Sequence, residues 1–138
     1  MYRKILIAYD GSEAAIHAFK TALQLAGQYG AELYVLSVSR TMDIGDDVET
    51  EAVIENSREY HRKLLAPLER EVAAAGVKGH FEVTVGHPAE QIIYGADRHG
   101  VDLIVVGHRG RSKFVRLLLG SVSKQVVQYA SQPVMVVR

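Results

Sequence analysis

Short apolar runs recur along the chain, and they predict five β-strands. Residues 5–8, 33–38 and 103–106 are apolar runs rich in strand-forming residues, as expected of parallel strands that are covered on both faces. Residues 81–85 alternate apolar and polar positions, which is typical of a strand with one face in water, and we place it at a sheet edge. The final run follows Pro133, a residue that suits the first position of an edge strand.

Helical periodicity fills the four intervals between these strands. In the first interval, alanines and Phe19 recur at helical spacing, with Ser12 available as the N-cap and Gly30 as the stop. Further helices are predicted over residues 48–75, 88–99 and 121–130. Strict alternation of strands and helices predicts a parallel sheet with helices on both faces, which is a three-layer α/β/α sandwich.

The strand order of this sheet determines where a ligand would bind. With the alternating strand at one edge, the expected order of the five strands is 3-2-1-4-5, and its switch point lies between strands 1 and 4. Ligands of such sheets bind outside the carboxyl ends of the strands at the switch point. Those ends are residues 8–11 and 107–110, so the pattern predicts a crevice between them.

Composition narrows the class of protein. A chain of 138 residues with 48% hydrophobic and 23% charged residues fits one domain over residues 1–138. The 16 basic and 16 acidic residues argue against a general nucleic-acid binder. There is no cysteine, which excludes thiolate metal sites and cysteine nucleophiles, and no apolar run approaches the roughly 20 residues that span a bilayer. We expect a cytoplasmic protein that binds neither nucleic acid nor membrane.

Charge is unevenly distributed along the chain. Residues 107–125 contain five basic residues and no acidic residue, and they include three glycines. Glycines let a ligand approach the main chain closely, and the first amides of a helix favour an anion. We therefore predict a binding site for a di- or triphosphate, in which main-chain amides, two hydroxyls and one guanidinium meet the phosphates. Its candidate residues are Gly107, Arg109, Gly110, Gly120, Ser121, Val122 and Ser123.

Residues at the ends of strands 1 and 2 suggest the rest of the site. Asp10 is placed to accept hydrogen bonds from ribose hydroxyls or to hold Mg²⁺, whereas Val38 could offer its backbone to a base, and Ala8 keeps the pocket open. Two alternatives stay open here. Asp10 could simply cap the turn that follows it, and the glycines could serve turn geometry alone. The six histidines show no metal-ligand spacing.

Other nucleotide-binding signatures and the nucleophile elbow are absent from the sequence. It contains no GxxxxGK[ST] loop, no GxGxxG after a strand and no GxSxG elbow. The predicted crevice also shows no nucleophile with a base beside it. The sequence therefore predicts binding chemistry without clear catalytic chemistry.

The glycine spacing resembles that of a known family, the universal stress proteins. Gly107-x2-Gly110-x9-Gly120-Ser121 is similar to the motif of the nucleotide-binding branch, and residues 7–13 (IAYDGSE) and 133–137 (PVMVV) extend the resemblance over essentially the whole chain. The resemblance implies an adenine nucleotide α-hydrolase-like sandwich that is usually homodimeric and binds ATP. It also implies roles for individual residues.

By this resemblance, Asp10 meets the ribose and metal region, and Ala8 and Val38 meet adenine. Gly107, Arg109 and Gly110 would meet the phosphates, with Gly120, Ser121, Val122 and Ser123 on the phosphate tail. Tyr9 is also among the candidate binding residues. It stands where many members have a smaller residue, a departure that affects the fit of the adenosine pocket.

Three functions compete at this point. The first is an ATP-binding regulatory protein that hydrolyses ATP slowly or not at all, and acts on a protein partner that the sequence does not name. The second is an ATP hydrolase or an autophosphorylating phosphotransferase, with Arg109 on the transferred phosphate and Ser121 or Ser123 as acceptor. The third is a nucleotide-free interaction module. Because an apolar edge strand invites pairing, we also predict a homodimer joined through Val134 to Val137.

Overall fold

A computed structural model describes residues 1–40, 48–108 and 119–138, with side chains of the second range described from residue 55 onward. Strands and helices alternate along the chain. The order is β1 (Lys4–Ala8), α1 (Glu13–Tyr29), β2 (Glu32–Ser39), α2 (Val48–Ala74), β3 (Gly79–Val85), α3 (Pro88–His99), β4 (Leu103–Gly107), α4 (Ser121–Tyr129) and β5 (Val134–Val137). None of the helices in the described ranges is long and apolar enough to cross a membrane.

The five strands form one parallel sheet of order β3-β2-β1-β4-β5, which confirms the predicted topology. In the central pair, Ala8 is level with Leu36, so β1 ends beside the carboxyl half of β2. On its other side, β1 pairs with β4. The switch point therefore lies at the carboxyl ends of these strands, where the sequence predicted it.

Two hydrophobic cores lie on opposite faces of the sheet, because successive strand residues point to opposite faces. On one face, Ile5 and Ile7 of β1 pack with buried residues of α1 and α2. On the other face, Leu6 packs with buried residues of α3 and α4. The predicted three-layer sandwich is confirmed, with two helices in each outer layer.

Helix ends follow the predicted capping residues. The Ser12 side chain accepts a hydrogen bond from the Ala15 amide at 3.1 Å, which satisfies one of the unpaired amides at the start of α1. Gly30 ends that helix in the left-handed region, with φ of 66°. Such a conformation suits glycine because it has no Cβ.

Two strands differ from their predicted form. β3 lies at the sheet edge as predicted, but it begins at Gly79 and all seven of its residues are partly buried, instead of having one face in water. Phe81 packs against the core under α2, while the opposite face meets side chains of β2 and α3. β5 begins one residue after Pro133.

A cluster of aromatic and charged side chains covers the face of β3 that contacts the end of α3. The Tyr34 ring is stacked between His80, at 4.3 Å between ring centroids, and His99, at 4.7 Å. His80 Nε2 lies 2.9 Å from Glu32 Oε1, and His99 Nε2 lies 2.8 Å from Glu82 Oε2. We call these five residues the histidine–tyrosine stack. It joins the end of α3 to β2 and β3.

Candidate functional site

A cleft of about 680 Å³ opens at the carboxyl ends of β1, β2 and β4. Its walls differ in character because one is lined by residues of the core beside α3 and α4, and the other by α2 and by residues that follow β1 and β2. Apolar side chains form the wall beside α3 and α4, namely Ala8, Leu36, Val38, Ile92, Val106 and Val122. We call this wall the apolar half. The polar half consists of Asp10, Ser12, Arg40, Ser57, Tyr60 and His61.

Nine of the eleven predicted site residues line this one cleft. They are Ala8, Tyr9, Asp10, Val38, Gly107, Gly120, Ser121, Val122 and Ser123. Arg109 and Gly110 lie outside the described residues. The residues after β1 and β4 and the start of α4, which are far apart in sequence, therefore meet around one space.

The start of α4 points its first amides at the cleft. Gly120 is the N-cap, with φ of −60° and ψ of 158°, and no side chain caps the helix there. Its own amide donates to His108 O at 3.0 Å, which ties the helix start to the end of β4. The first helical amides, beginning at Ser121, have no partner within a helix, and the helix dipole favours an anion at this position. This end of the cleft suits a phosphate.

The two serines at the start of α4 have different environments. Ser123 is 6% exposed, and its hydroxyl donates to Gly107 O at 2.6 Å. This hydrogen bond uses the only hydroxyl proton of Ser123, and it joins the start of α4 to the end of β4. Ser121 is exposed at the cleft rim. Of the two predicted hydroxyl ligands, Ser121 has the accessible hydroxyl.

Gly107 lies against the start of α1. A Cβ added at this position would lie 2.9 Å from the Ala14 carbonyl carbon and 3.0 Å from Ala14 Cβ. Backbone cannot move aside as a flexible side chain can. The close approach of α1 to β4 is thus a packing reason for glycine here, in addition to the predicted approach of a ligand.

Asp10 follows β1 and accepts a hydrogen bond from the Ser12 amide, at 2.9 Å to Oδ1. This contact is the local turn capping that the sequence left open as an alternative. It holds the carboxylate at the cleft wall, so capping and a ligand role are compatible. Groups of three acidic or histidine side chains that could hold a metal do not occur among the described residues. The predicted Mg²⁺ stays a prediction.

Tyr9 contributes mainly to the hydrophobic core. Its side chain is 8% exposed, and its ring packs edge-on against Phe19 at 6.2 Å between centroids. Burial raises the pKa of its phenol above 10.0, and the nearby charges of Asp10 and Glu71 raise it further. The Tyr9 ring belongs to the core beneath α1 and α2, on the face of the sheet opposite the apolar half.

Sequence reasoning missed the wall contributed by α2. Ser37 Oγ lies 2.6 Å from His61 Nδ1, and Ser39 Oγ lies 2.5 Å from Ser57 Oγ. A signal was available, because the two strand serines share one face of β2 and the two helix residues are four apart. The sequence does not show how α2 is rotated over β2, and this rotation brings the two pairs together.

The Ser37–His61 pair has the geometry of a nucleophile beside its base. However, Ser37 is 0% exposed, and it does not line the cleft. A ligand cannot reach its hydroxyl. The contact therefore holds α2 against β2, and it does not make the cleft catalytic.

The fold and the cleft together define a class of protein, a doubly wound α/β domain with a cleft at the switch point of its sheet. The sequence model of the universal stress protein family matches residues 1–138, and the chain belongs to that family. It is 35% identical to universal stress protein MJ0531 of Methanocaldococcus jannaschii, over 100% of this chain and 83% of the relative. It is also 35% identical to YxiE of Bacillus subtilis, over 100% of both chains.

Solved structures agree in fold. The structure of MJ0577, a universal stress protein of M. jannaschii, has a TM-score of 0.90 at 30% identity and covers 99% of this chain and 96% of its own. Two more distant structures are universal stress proteins in complex with cAMP and, from Archaeoglobus fulgidus, with dAMP. Their TM-scores are 0.78 and 0.67, at 24% and 21% identity, over 99% of this chain and 97% and 98% of their own. These two show the shared fold.

Proposed function

We propose that this universal stress protein binds an adenine nucleotide, with ATP as the first candidate, and acts as a homodimeric regulatory protein with slow or no hydrolysis. One observation carries the proposal. The start of α4, the apolar half and the Asp10 carboxylate all border the same cleft. Each suits a different part of a nucleotide.

The cleft walls suggest how the nucleotide lies. The base packs against the apolar half, which offers flat hydrophobic surface on the α3 and α4 side of the sheet. The 5′-phosphates meet the helix start at Ser121, where main-chain amides favour an anion. The ribose between them faces Asp10, whose carboxylate accepts hydrogen bonds from hydroxyls.

The relatives support an adenylate as the ligand class. The complexes with cAMP and dAMP indicate that proteins of this fold can hold an adenine nucleotide. The cleft volume of about 680 Å³ lies in the range of small-molecule sites. Any Mg²⁺ would arrive with the phosphates, and the Asp10 carboxylate borders the same cleft.

Phosphate transfer to a serine is the second candidate, and it is favoured by the exposed hydroxyl of Ser121 at the phosphate end. Ser123 is a poorer acceptor because its proton is used on Gly107 O. Phosphoserine at position 121 after incubation with labelled ATP would support this second candidate. Its absence, together with turnover below about one per second, supports a binding role.

Dimerisation through β5 is part of the proposal. The Pro133 carbonyl accepts a hydrogen bond from the Ile104 amide of β4, and the Val137 carbonyl accepts one from the His108 amide just after β4. The main-chain groups of Val134 and Val136 therefore point away from the sheet. An edge strand with outward amides and apolar side chains is suited to pair with a second copy. We therefore infer a homodimer whose two sheets meet at β5.

Two measurements test nucleotide binding. Mass spectrometry of ligand released from purified, undialysed protein should find an adenine nucleotide. Calorimetry should then show ATP binding that Ala8→Leu weakens by about tenfold or more, since the larger side chain fills the base site. Ala73→Leu, on the exposed side of α2, is the control and should bind normally. No heat with ATP, ADP or AMP would refute the proposal.

A further inference from the structure

The polar half of the cleft carries a guanidinium, Arg40, for which a plain ribose has no anionic group. If the proposed function holds, the base and the 5′-phosphates occupy the apolar half and the start of α4, which leaves the ribose facing the polar half. A ribose carries two hydroxyls, and the Asp10 carboxylate can accept from them. Arg40 lies on the same half, and its guanidinium suits an additional anionic acceptor group.

This polar wall is already held in place by buried hydrogen bonds. Ser37 and Ser39 are 0% and 1% exposed, and they bond His61 and Ser57 at 2.6 and 2.5 Å. The two contacts lie one helical turn apart along α2, so they fix both its position and its rotation over β2. A wall fixed in this way loses little freedom when a ligand binds.

Arg40 is the cationic side chain of the polar half. It directly follows β2, it is exposed, and it is the only lysine or arginine among the described residues that line the cleft. No ion pair holds its guanidinium within the described part of the chain. In doubly wound dinucleotide-binding folds, an acidic side chain meets a free ribose hydroxyl, whereas an arginine accommodates a phosphate on it.

We propose that Arg40 forms a subsite for a phosphate carried on a ribose hydroxyl, so that the cleft prefers adenine nucleotides phosphorylated at the 2′ or 3′ position. The planar guanidinium donates two parallel hydrogen bonds to phosphate oxygens. Asp10 follows the neighbouring strand and accepts from the other hydroxyl. A phosphate on the 2′ hydroxyl and one on the 3′ hydroxyl would be recognised by the same chemistry. The experiment below distinguishes the two isomers.

The probes are adenosine 2′,5′-bisphosphate and adenosine 3′,5′-bisphosphate, compared with AMP and ADP by calorimetry at one ionic strength. ADP has the same number of phosphates as the bisphosphates, but both are on the 5′ chain. One bisphosphate should bind about tenfold more tightly than both AMP and ADP, as expected for hydrogen bonds to a charged group. The preferred isomer then identifies the hydroxyl.

Arg40→Gln should remove most of this preference, and Arg40→Lys should keep part of it, because lysine retains the charge but not the planar fork. Arg70→Gln, an exposed α2 residue outside the cleft lining, is the matched control and should keep the full preference. Thermal unfolding of each variant confirms that it is folded.

The outcomes separate this inference from the proposed function. If AMP, ADP and both bisphosphates bind equally well, the ribose-phosphate subsite is wrong while nucleotide binding stands. If ADP is preferred and Arg40→Gln removes that preference, Arg40 serves the 5′ chain and the subsite is again wrong. If no adenylate binds, the proposed function itself fails.

Discussion

Gly107 has a packing role in the fold in addition to the binding role that we propose for it. The sequence singled it out for phosphate approach, and the structure adds its contact with Ala14 at the start of α1. The packing role could not be predicted, because it depends on how closely α1 crosses the end of β4. The two roles can be separated by measuring stability without any ligand.

Gly107→Ala should destabilise the ligand-free protein by about 1–3 kcal/mol, because the new methyl group overlaps backbone that cannot yield. Gly27→Ala is the control. That glycine lies inside α1 with nothing within 4 Å of an added Cβ, so alanine should stabilise the helix by about 0.5–1 kcal/mol. Urea unfolding measures both. Equal effects of the two substitutions would contradict the packing role.

Asp10 and Tyr9 show what residue patterns could and could not predict. Placing Asp10 at the cleft needed only the strand order, and the structure agrees. Adjacent residues of a strand point to opposite faces of the sheet. Ala8 therefore belongs to the apolar half, whereas the Tyr9 ring packs against Phe19 on the other face. The resemblance to the family did not show that the side chains of Ala8 and Tyr9 lie on opposite faces of the sheet.

Among the helices and strands, the alternation of patterns was enough to predict the whole sheet order. Contacts between elements were not predictable to the same degree. The histidine–tyrosine stack requires that β3 pair with β2 in a register that sets His80 beside Tyr34, and that α3 end above them. The α2 wall likewise depends on how the helix is rotated. Periodicity determines which face of an element is apolar, but not which polar residues meet across the interface.

The contacts of Glu82 with the end of α3 predict that the stability of the fold depends on pH. Partial burial tends to raise the pKa of Glu82, but hydrogen bonds from His99 and Arg98, and their charges, outweigh it and hold the pKa below 4.5. A lowered carboxyl pKa contributes stability above the unfolded pKa, and that contribution is lost as the pH falls through the folded pKa.

Glu82→Gln should therefore lower the free energy of unfolding at pH 7, and the difference from the unsubstituted protein should shrink below pH 4.5. Glu69→Gln, at an exposed α2 position, should show a smaller difference at neutral pH. Urea titrations at several pH values measure this. A Glu82→Gln difference that stays constant down to acid pH would show that the contact is not electrostatic.

For the assembled protein, the proposed dimer makes a specific prediction about β5. Val136→Pro removes an outward amide without breaking a hydrogen bond to β4, so it should weaken pairing with a second copy. Light scattering should report about twice the 15.2 kDa chain mass for the unsubstituted protein and a shift towards one chain mass for the variant. Circular dichroism checks that the variant is folded.

An interface on the helical face would give a different result. Tyr129 is 67% exposed on α4. Its substitution Tyr129→Ser is the control for Val136→Pro, because it changes the helical face and leaves β5 unchanged. If this variant dissociates and Val136→Pro does not, the copies meet through α4 instead of β5. If the unsubstituted protein is monomeric at micromolar concentration, the dimer prediction is wrong.

The cleft is lined by residues of both hydrophobic cores. A molecule bound there would touch both outer layers at once, and it would stabilise the folded state by about 2.7 kcal/mol when present at 100 times its dissociation constant. The melting temperature, and with it resistance to proteolysis, would then follow ligand concentration. A cell that runs short of that ligand would hold a shorter-lived protein, without any change in its synthesis.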